Sequence, residues 1–191
     1  PAARIVLLMH WNYELEIYPQ PFHRQLAFES IDRGAHAVVG CHSHCLQGIE
    51  YYKGRPIVYG LGNWHFPHGI YFNGKLKFPE FSRTQLAFEW SGSENEGVFH
   101  LFQYDPQNHS LAHLKTTPWD QCAETGEMTP FRGMAHEEYI PWFRANRRKK
   151  KLLPIYKYGT PLENFLNDNW VILRHKMIQG MMRIGIKGAP R

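Results

Sequence analysis

Three histidines follow apolar stretches that are typical of buried strands, and imidazoles at strand ends are candidate metal ligands. His10 ends the run at 5–9, and His42 and His44 follow the run at 37–39. Because chemistry in α/β proteins collects at the carboxyl edge of the strands, we expect the three rings to meet within about 5 Å of one point. An extended backbone between His42 and His44 would direct both rings to the same side. Imidazole is a borderline ligand for zinc, iron or manganese, so the spacing predicts a divalent metal site.

Other polar groups near these histidines have a functional and a structural interpretation. Glu14 lies four residues after His10, where it could support the ligands, be a carboxylate ligand or bind a substrate amine; it could equally be a surface glutamate. Asn63 could line the same pocket or stabilise a turn. The candidate catalytic residues are therefore His10, Glu14 and Asn63. Cys41 and Cys45 flank the later histidines and are interpreted as sulfur ligands or as small buried thiols.

A predicted β-α-β unit positions the histidines at one sheet edge. Pro21 suits the start of its helix and Gly34 suits the position after its end, and the crossover should be right-handed. Residues 65–82 are predicted to form an irregular loop, and residues 116–141 have no strong pattern. The predicted elements are strands at 5–9 and 35–40 around a helix at 22–31, a hairpin at 49–52 and 56–60, strands at 84–90, 98–104 and 110–115, and a helix at about 162–182.

The amino-acid composition is typical of a globular protein, since 43% of the 191 residues are hydrophobic and 15% are aromatic. These values exclude a disordered protein and fit one domain, or one domain with an extension. No run of apolar residues is long enough for a transmembrane helix, and no signal peptide leads the chain. The chain opens at Pro1 without methionine and enters a strand almost at once, so we expect it to be cut from a longer one; its localisation stays open.

Charge is divided unevenly along the chain. Residues 1–140 carry ten Lys and Arg against fifteen Asp and Glu, whereas residues 141–191 carry twelve against two. We therefore predict a domain at 1–141 and a basic C-terminal extension with one helix at 142–191. The extension favours an anionic partner, such as a membrane surface or a polyanionic polymer, and no specific nucleic acid is expected. Alternatively, the charges form a solvated face and the helix packs on its own domain.

A series of short motifs resembles the C-terminal half of the CapA family of bacterial capsule and poly-γ-glutamate biosynthesis proteins. That family is similar to calcineurin-like metallophosphoesterases. The likeness is dense over roughly the first 65 residues. The family usually has Gly where this chain has Asn12, and often Pro where it has Ser43. The motifs that carry the resemblance are HWNYE at 10–14, IDRGA at 31–35, VVGCHSH at 38–44, LQGIE at 46–50, KGRPI at 53–57 and LGN at 61–63.

The resemblance implies an α/β fold, namely the C-terminal half of a metallophosphoesterase-like β-sandwich flanked by helices. It also implies that His10, His42 and His44 are ligands of manganese, iron or zinc in a dinuclear site. The family's other ligands lie in N-terminal motifs that this chain lacks. The implied function is a metal-dependent hydrolase acting on a phosphorylated substrate or an anionic polymer, with a site incomplete in this chain. The alternative is a non-catalytic polymer-binding or scaffold component of a capsule synthesis or export complex.

Overall fold

The computed structural model describes two compact units. The described residues are 3–64, 70–71, 74–76, 78–92, 97–121, 126–148, 155–157 and 160–183. The first unit comprises residues 1–65 and 79–150, and the second comprises residues 66–78 and 151–191.

Both helices and strands contribute, as the α/β prediction requires. The strands are β1 (Val6–His10), β2 (Ala37–Cys41), β3 (Ile49–Tyr52), β4 (Arg55–Val58), β5 (Ile70–Tyr71), β6 (Gly74–Leu76), β7 (Thr84–Trp90), β8 (Gly97–Asp105), β9 (Ser110–Pro118) and β10 (Ile155–Lys157). The α-helices are α1 (Pro21–Asp32), α2 (His136–Asn146) and α3 (Pro161–Arg183), and short 3-10 helices cover Glu80–Arg83 and Trp119–Gln121.

The predicted β-α-β unit is confirmed and forms one side of a four-stranded sheet. The strand order is β1-β2-β4-β3, with β1, β2 and β4 parallel and β3 antiparallel to β4. Pro21 is the first residue of α1. Gly34 follows the end of α1 with φ 105°, a conformation that glycine adopts without strain, and its amide donates to the Ile31 carbonyl oxygen at 3.0 Å.

Two hydrophobic cores arrange the first unit in layers of helix, sheet and sheet. One core joins α1 and α2 to one face of the four-stranded sheet, through residues such as Ala27, Val38 and Tyr139. The other joins the opposite face to the three-stranded sheet β7-β8-β9, through residues such as Ile49 and Phe99. The two sheets therefore pack face to face with helices outside one of them, as the resemblance implied.

The prediction of a buried first strand is wrong in its burial. In β1, Val6 and Leu8 are exposed, and Leu8 retains 80% of its accessible surface. Leu7 and Met9 point to the other side and pack on the core with α1. Among the described residues β1 pairs with β2 alone, so this strand is the edge of its sheet and buries one face.

Two segments without a strong sequence pattern contain regular structure. Residues 136–146 form α2, whose Tyr139 and Phe143 are buried in the first unit; the predicted domain boundary after residue 141 lies inside this helix. The predicted loop at 65–82 includes β5, β6 and part of a 3-10 helix, and its residues 65–69, 72–73 and 77 lie outside the described part.

The second unit contains a small sheet and the predicted C-terminal helix. Its three strands run in the order β10-β6-β5 and pair antiparallel. The predicted helix at about 162–182 is confirmed as α3. Within the described residues, no helix has the length and apolar character needed to span a membrane.

Candidate metal centre

Parallel pairing of β1 and β2 carries two histidines to one edge of the sheet. His10, the last residue of β1, lies opposite Cys41, the last residue of β2. The backbone amide of Trp11 then donates to the Cys41 carbonyl oxygen at 3.1 Å, which extends the pairing by one step. Because His42 comes next in the chain, both strands deliver an imidazole to the same place.

The three predicted ligands lie in a row, which we call the histidine edge (His10, His42 and His44). The ring centroids of His10 and His42 are 4.4 Å apart, and those of His42 and His44 are 5.8 Å apart. His10 is exposed and the other two are half-buried, so the row borders solvent. A substrate or ion can therefore reach these rings from outside.

The backbone of the histidine edge differs from the extended conformation that would direct both rings to one side. His42 has φ 94° and His44 has φ 56°, both in the left-handed region that non-glycine residues rarely adopt. Such positions cost on the order of 1–3 kcal/mol each and cluster at functional sites. The surrounding structure must therefore hold this loop in place.

Buried hydrogen bonds of Ser43, the residue between the two strained histidines, hold the loop. The Ser43 carbonyl oxygen accepts from the backbone amide of Leu15 at 2.7 Å, and the Ser43 hydroxyl donates to the Cys45 carbonyl oxygen at 2.9 Å. Ser43 and Cys45 are at most 1% exposed, so these bonds form away from water. The loop after β1 and the histidine loop therefore fix one another.

Asn12 anchors the loop that follows His10. It has φ 70°, a conformation that suits the glycine usual in the resembled family and that asparagine tolerates. Its side chain is buried, where Nδ2 donates to Gln47 Oε1 at 3.0 Å and Oδ1 accepts from the Gln20 amide at 3.0 Å. Its own amide donates to His23 Nδ1 at 3.2 Å, and burial lowers the pKa of His23, which favours the neutral ring that accepts this bond.

Gly40 allows β2 to approach its neighbours closely just before the histidine loop. A Cβ atom at this position would overlap the Trp11 indole and the Tyr59 carbonyl oxygen. These two groups bond to each other, since Trp11 Nε1 donates to the Tyr59 carbonyl oxygen at 2.9 Å. Gly40 therefore leaves room for a buried contact that ties the residue after His10 to the residue after β4.

The structure brings one of the two further candidate residues to the histidine edge. Asn63 Oδ1 lies 2.8 Å from His44 Nδ1, and the Asn63 amide donates to the buried Gln85 Oε1. When Nδ1 of His44 carries the ring proton and donates a hydrogen bond to Asn63, the unprotonated Nε2 atom is the one that can bind a metal ion. Glu14 is half-buried in the loop after β1, and its side chain makes no hydrogen bond or ion pair with the described residues.

Glu16 is a buried acid near this loop that sequence reasoning missed. It is 2% exposed, and its Oε1 accepts from the amides of Tyr18 and Arg148 at 3.4 and 3.0 Å. Its Oε2 has no hydrogen-bond partner among the described residues. Burial raises the pKa of this carboxyl to about 7. No sequence signal distinguished it from Glu14, two residues earlier, because neither residue lies in a regular element.

The donor set fits a borderline divalent ion, although the ligands are not already arranged around one point. Among the described residues, no three His, Cys, Asp or Glu side chains have the placement that holds an ion. Two imidazoles on one tetrahedral zinc have centroids about 5 Å apart, given zinc to nitrogen bonds of ~2 Å. The observed 4.4 and 5.8 Å lie on either side of that spacing. Each neighbouring pair of rings is therefore close to the spacing of two imidazoles that share an ion.

Comparison with known proteins identifies the segment that contains this site. Residues 2–68 match the family model described as bacterial capsule synthesis protein PGA_cap. The match covers 67 of the 191 residues. All candidate site residues lie inside it, so the predicted resemblance to CapA proteins is confirmed over this part of the chain.

Individual relatives agree with the family match. The chain is 43% identical over 68 residues to the PGA biosynthesis protein CapA of Bacillus subtilis, covering 36% of this chain and 18% of that protein. It is 40% identical over 68 residues to the capsule biosynthesis protein CapA of Bacillus anthracis, covering 36% and 16%. An uncharacterized Sinorhizobium fredii protein, y4sH, is 47% identical over 57 residues, covering 30% and 12%. The PGA_cap match thus spans less than a fifth of each relative's length.

Proposed function

We propose that this protein acts in the synthesis of a bacterial capsule or of poly-γ-glutamate, and that its histidine edge is a metal-dependent hydrolase site. The substrate would be a phosphoester or a related bond in an anionic polymer. The observation that carries the proposal is the row of His10, His42 and His44 on a strained, solvent-bordering loop inside a PGA_cap segment. Left-handed backbone beside half-buried imidazoles at the solvent border supports a functional site, because such strain clusters at functional sites.

The chain's own residues would hold and orient the ion. His10, His42 and His44 supply neutral ligands, and Asn63 fixes the ring of His44 through its Nδ1 atom. A bound divalent ion would lower the pKa of a bound water and polarise a phosphoryl oxygen. The position of the row at the solvent border leaves room for water and substrate on the outer side.

Metal binding and hydrolysis by the 191-residue chain test the proposal. We expect the chain to bind manganese or zinc weakly and to show no appreciable hydrolysis of an aryl phosphate, since dinuclear chemistry needs bridging carboxylates besides three histidines. His42→Ala should abolish binding, while His113→Ala on the exposed face of β9 should not. Failure of the wild-type chain to bind either ion would contradict the proposal. Robust turnover that His42→Ala removes would instead show a complete site here.

A second candidate function, surface attachment, is favoured by the exposed apolar side chains of α3. Seven large apolar residues of this helix are between 50% and 70% exposed. At 3.6 residues per turn they occupy about 160° of the helix circumference. They are Leu162, Phe165, Leu166, Trp170, Ile172, Leu173 and Met177.

We propose that α3 lies on an anionic lipid bilayer. Residues 151–191 carry seven Lys and Arg against two Asp and Glu, and Lys176 lies within the apolar arc. An apolar arc combined with a cationic surrounding is the pattern of an interfacial helix, and each basic residue near an anionic surface adds about 1 kcal/mol. The basic residues are attracted to the anionic lipid headgroups, and the side chains of the apolar arc insert into the bilayer.

Vesicle co-sedimentation tests the attachment. We expect binding to vesicles with phosphatidylserine and weaker binding to neutral vesicles. Trp170→Ser should weaken both, Lys176→Gln should weaken only the anionic case, and Arg33→Gln, at the exposed residue that follows α1, should change neither. Equally strong binding to neutral and to anionic vesicles would show that the basic residues do not contribute to attachment. Absence of binding to either vesicle would contradict the proposal and leave a protein or polymer surface as the partner of α3.

A further inference from the structure

Cys41 stands next to the histidine edge and is not required by the family's implied ligand set. It is the last residue of β2, it is exposed, and it is a free thiol. Its Sγ atom lies 3.7 Å from Nδ1 of His10, which lies opposite it in the parallel pair. The sulfur therefore belongs to the same cluster as the first histidine.

The distance between these two atoms fits two ligands of one ion. A tetrahedral zinc with bonds of ~2.3 Å to sulfur and ~2.0 Å to nitrogen places those ligand atoms about 3.5 Å apart. The observed separation of 3.7 Å is close to that value. His42 extends the cluster, since its ring centroid lies 4.4 Å from that of His10. Cys41 and His42 thus each lie close to His10 at the same end of β1 and β2.

We propose that Cys41 is a thiolate ligand of the ion that His10 binds, and that it directs the site toward zinc-class ions over manganese and magnesium. This inference rests on the proposed metal site. Sulfur ligands favour zinc and cobalt, whereas manganese and magnesium favour oxygen ligands. On binding, the Cys41 S–H bond breaks, its proton passes to water and the sulfur electron pair forms the bond to the metal; no electrons are transferred.

The other described cysteine provides a contrast within the same loop. Cys45 is fully buried, its thiol donates to the Glu16 carbonyl oxygen at 3.4 Å, and burial raises its pKa to about 12. A thiol held in that form is a poor ligand, because metals bind the thiolate. Cys45→Ser keeps a donor at this position and is therefore a matched control for Cys41→Ser.

Cobalt titration of the 191-residue chain tests the assignment by spectroscopy rather than by activity. All variants carry Cys122→Ser, which removes the one cysteine outside the described residues. With Co²⁺ we expect an intense near-ultraviolet thiolate-to-cobalt band in the parent and in Cys45→Ser. Cys41→Ser should lose the band and weaken Zn²⁺ binding at least about tenfold, with a smaller effect on Mn²⁺. Zn²⁺ should also protect Cys41 from alkylation by iodoacetamide.

The outcomes separate the two proposals. Visible cobalt bands without the near-ultraviolet band, together with unchanged zinc affinity in Cys41→Ser, would overturn the role of Cys41 and leave the histidine site intact. Cobalt bands that depend on Cys41 but persist when His42 is replaced by Ala would support the role of Cys41 and would contradict the proposed requirement for His42. Failure of the parent chain to bind Co²⁺ or Zn²⁺ would overturn both this inference and the proposed metal site.

Discussion

Two polar clusters of the first unit differ in burial and in backbone strain. The first is a buried ion pair, in which Arg24 Nε and Nη2 donate to the two carboxylate oxygens of Glu50 at 2.7 Å. Tyr59 also donates to Glu50, at 2.8 Å, and the Arg24 guanidinium lies over the Tyr139 ring at 4.7 Å. Arg24 and Glu50 are 1% and 3% exposed. This cluster faces inward and connects α1, β3 and α2.

The histidine edge has the opposite character. Its rings border solvent, and its backbone is strained at His42 and His44. The inner cluster has its charges matched by neighbouring side chains, whereas the outer one places three imidazole rings beside solvent. The contrast teaches that the first cluster stabilises the fold and that the second uses part of that stability to hold a strained backbone.

Loss of one partner in the inner cluster should have the largest effect on stability. Arg24→Ala leaves the Glu50 carboxylate buried without its cation, so we expect a loss of about 3–5 kcal/mol in the free energy of unfolding. Urea denaturation followed by tryptophan fluorescence measures it. Arg33→Ala, on the exposed end of the same helix, should have almost no effect. A loss below about 1 kcal/mol for Arg24→Ala would break the comparison, since it would mean that the pair is not structural.

Crowding of the strand before the histidine loop should have the next largest effect. A Cβ atom in Gly40→Ala would overlap the Trp11 indole and the Tyr59 carbonyl oxygen, and we expect a destabilisation of about 1–3 kcal/mol. Gly126→Ala is the control, because a Cβ atom there has no neighbour within 4 Å. Thermal unfolding compares the two variants. Equal midpoints would show that β2 does not depend on the close approach at Gly40.

Protonation of Glu16 should give the fold a measurable pH dependence. Its pKa is about 7 in the folded chain against 4.5 without burial, so the folded state binds the proton more tightly. Stability from this group is therefore greatest below pH 4.5 and falls as the pH rises toward 7, with a slope of at most about 1.4 kcal/mol per pH unit. Denaturation of wild type and Glu16→Gln across this range measures it. A wild-type profile parallel to that of the variant would contradict the assignment.

Relief of strain at the histidine edge should produce the smallest change and should have the opposite sign. His42→Gly places glycine at φ 94°, a conformation that it adopts without strain. We expect the free energy of unfolding to stay the same or to rise by up to about 1 kcal/mol, because strain relief offsets the added freedom of the unfolded chain. Gln25→Gly, in α1, should instead cost about 1 kcal/mol. A large loss for His42→Gly would identify His42 as a structural residue.

Sequence patterns predicted the elements that position the histidine edge and missed features that depend on tertiary contacts. The β-α-β unit and the hairpin of β3 and β4 have continuous apolar runs with clear turn residues, so periodicity was sufficient. Helix α2 was missed because Pro141 lies within it and disrupts the helical pattern. The exposure of Leu8 depends on which strands flank β1. The environment of Glu16 also depends on tertiary structure, because its carboxylate accepts a hydrogen bond from the backbone amide of Arg148, 132 residues later in the sequence.

The candidate site, like the fold, could be predicted in part from local sequence. The residue types and strand-end positions of His10, His42 and His44 were readable from local sequence. The left-handed conformations of His42 and His44 were not, because backbone strain is maintained by distant contacts such as the Leu15 amide on the Ser43 carbonyl oxygen. The Asn63 contact with His44 likewise required a fold that joins the loop after β4 to the loop after β2.

Zinc binding by calorimetry of wild type, His42→Gly and Arg24→Ala tests the central claim most directly. The account predicts that wild type binds zinc, that His42→Gly folds as well as wild type but does not bind, and that folded Arg24→Ala still binds. Binding should weaken in acid as the imidazoles become protonated. Unchanged zinc binding by a folded His42→Gly chain, or no binding by wild type, would contradict the claim that the strained histidine edge is a metal centre.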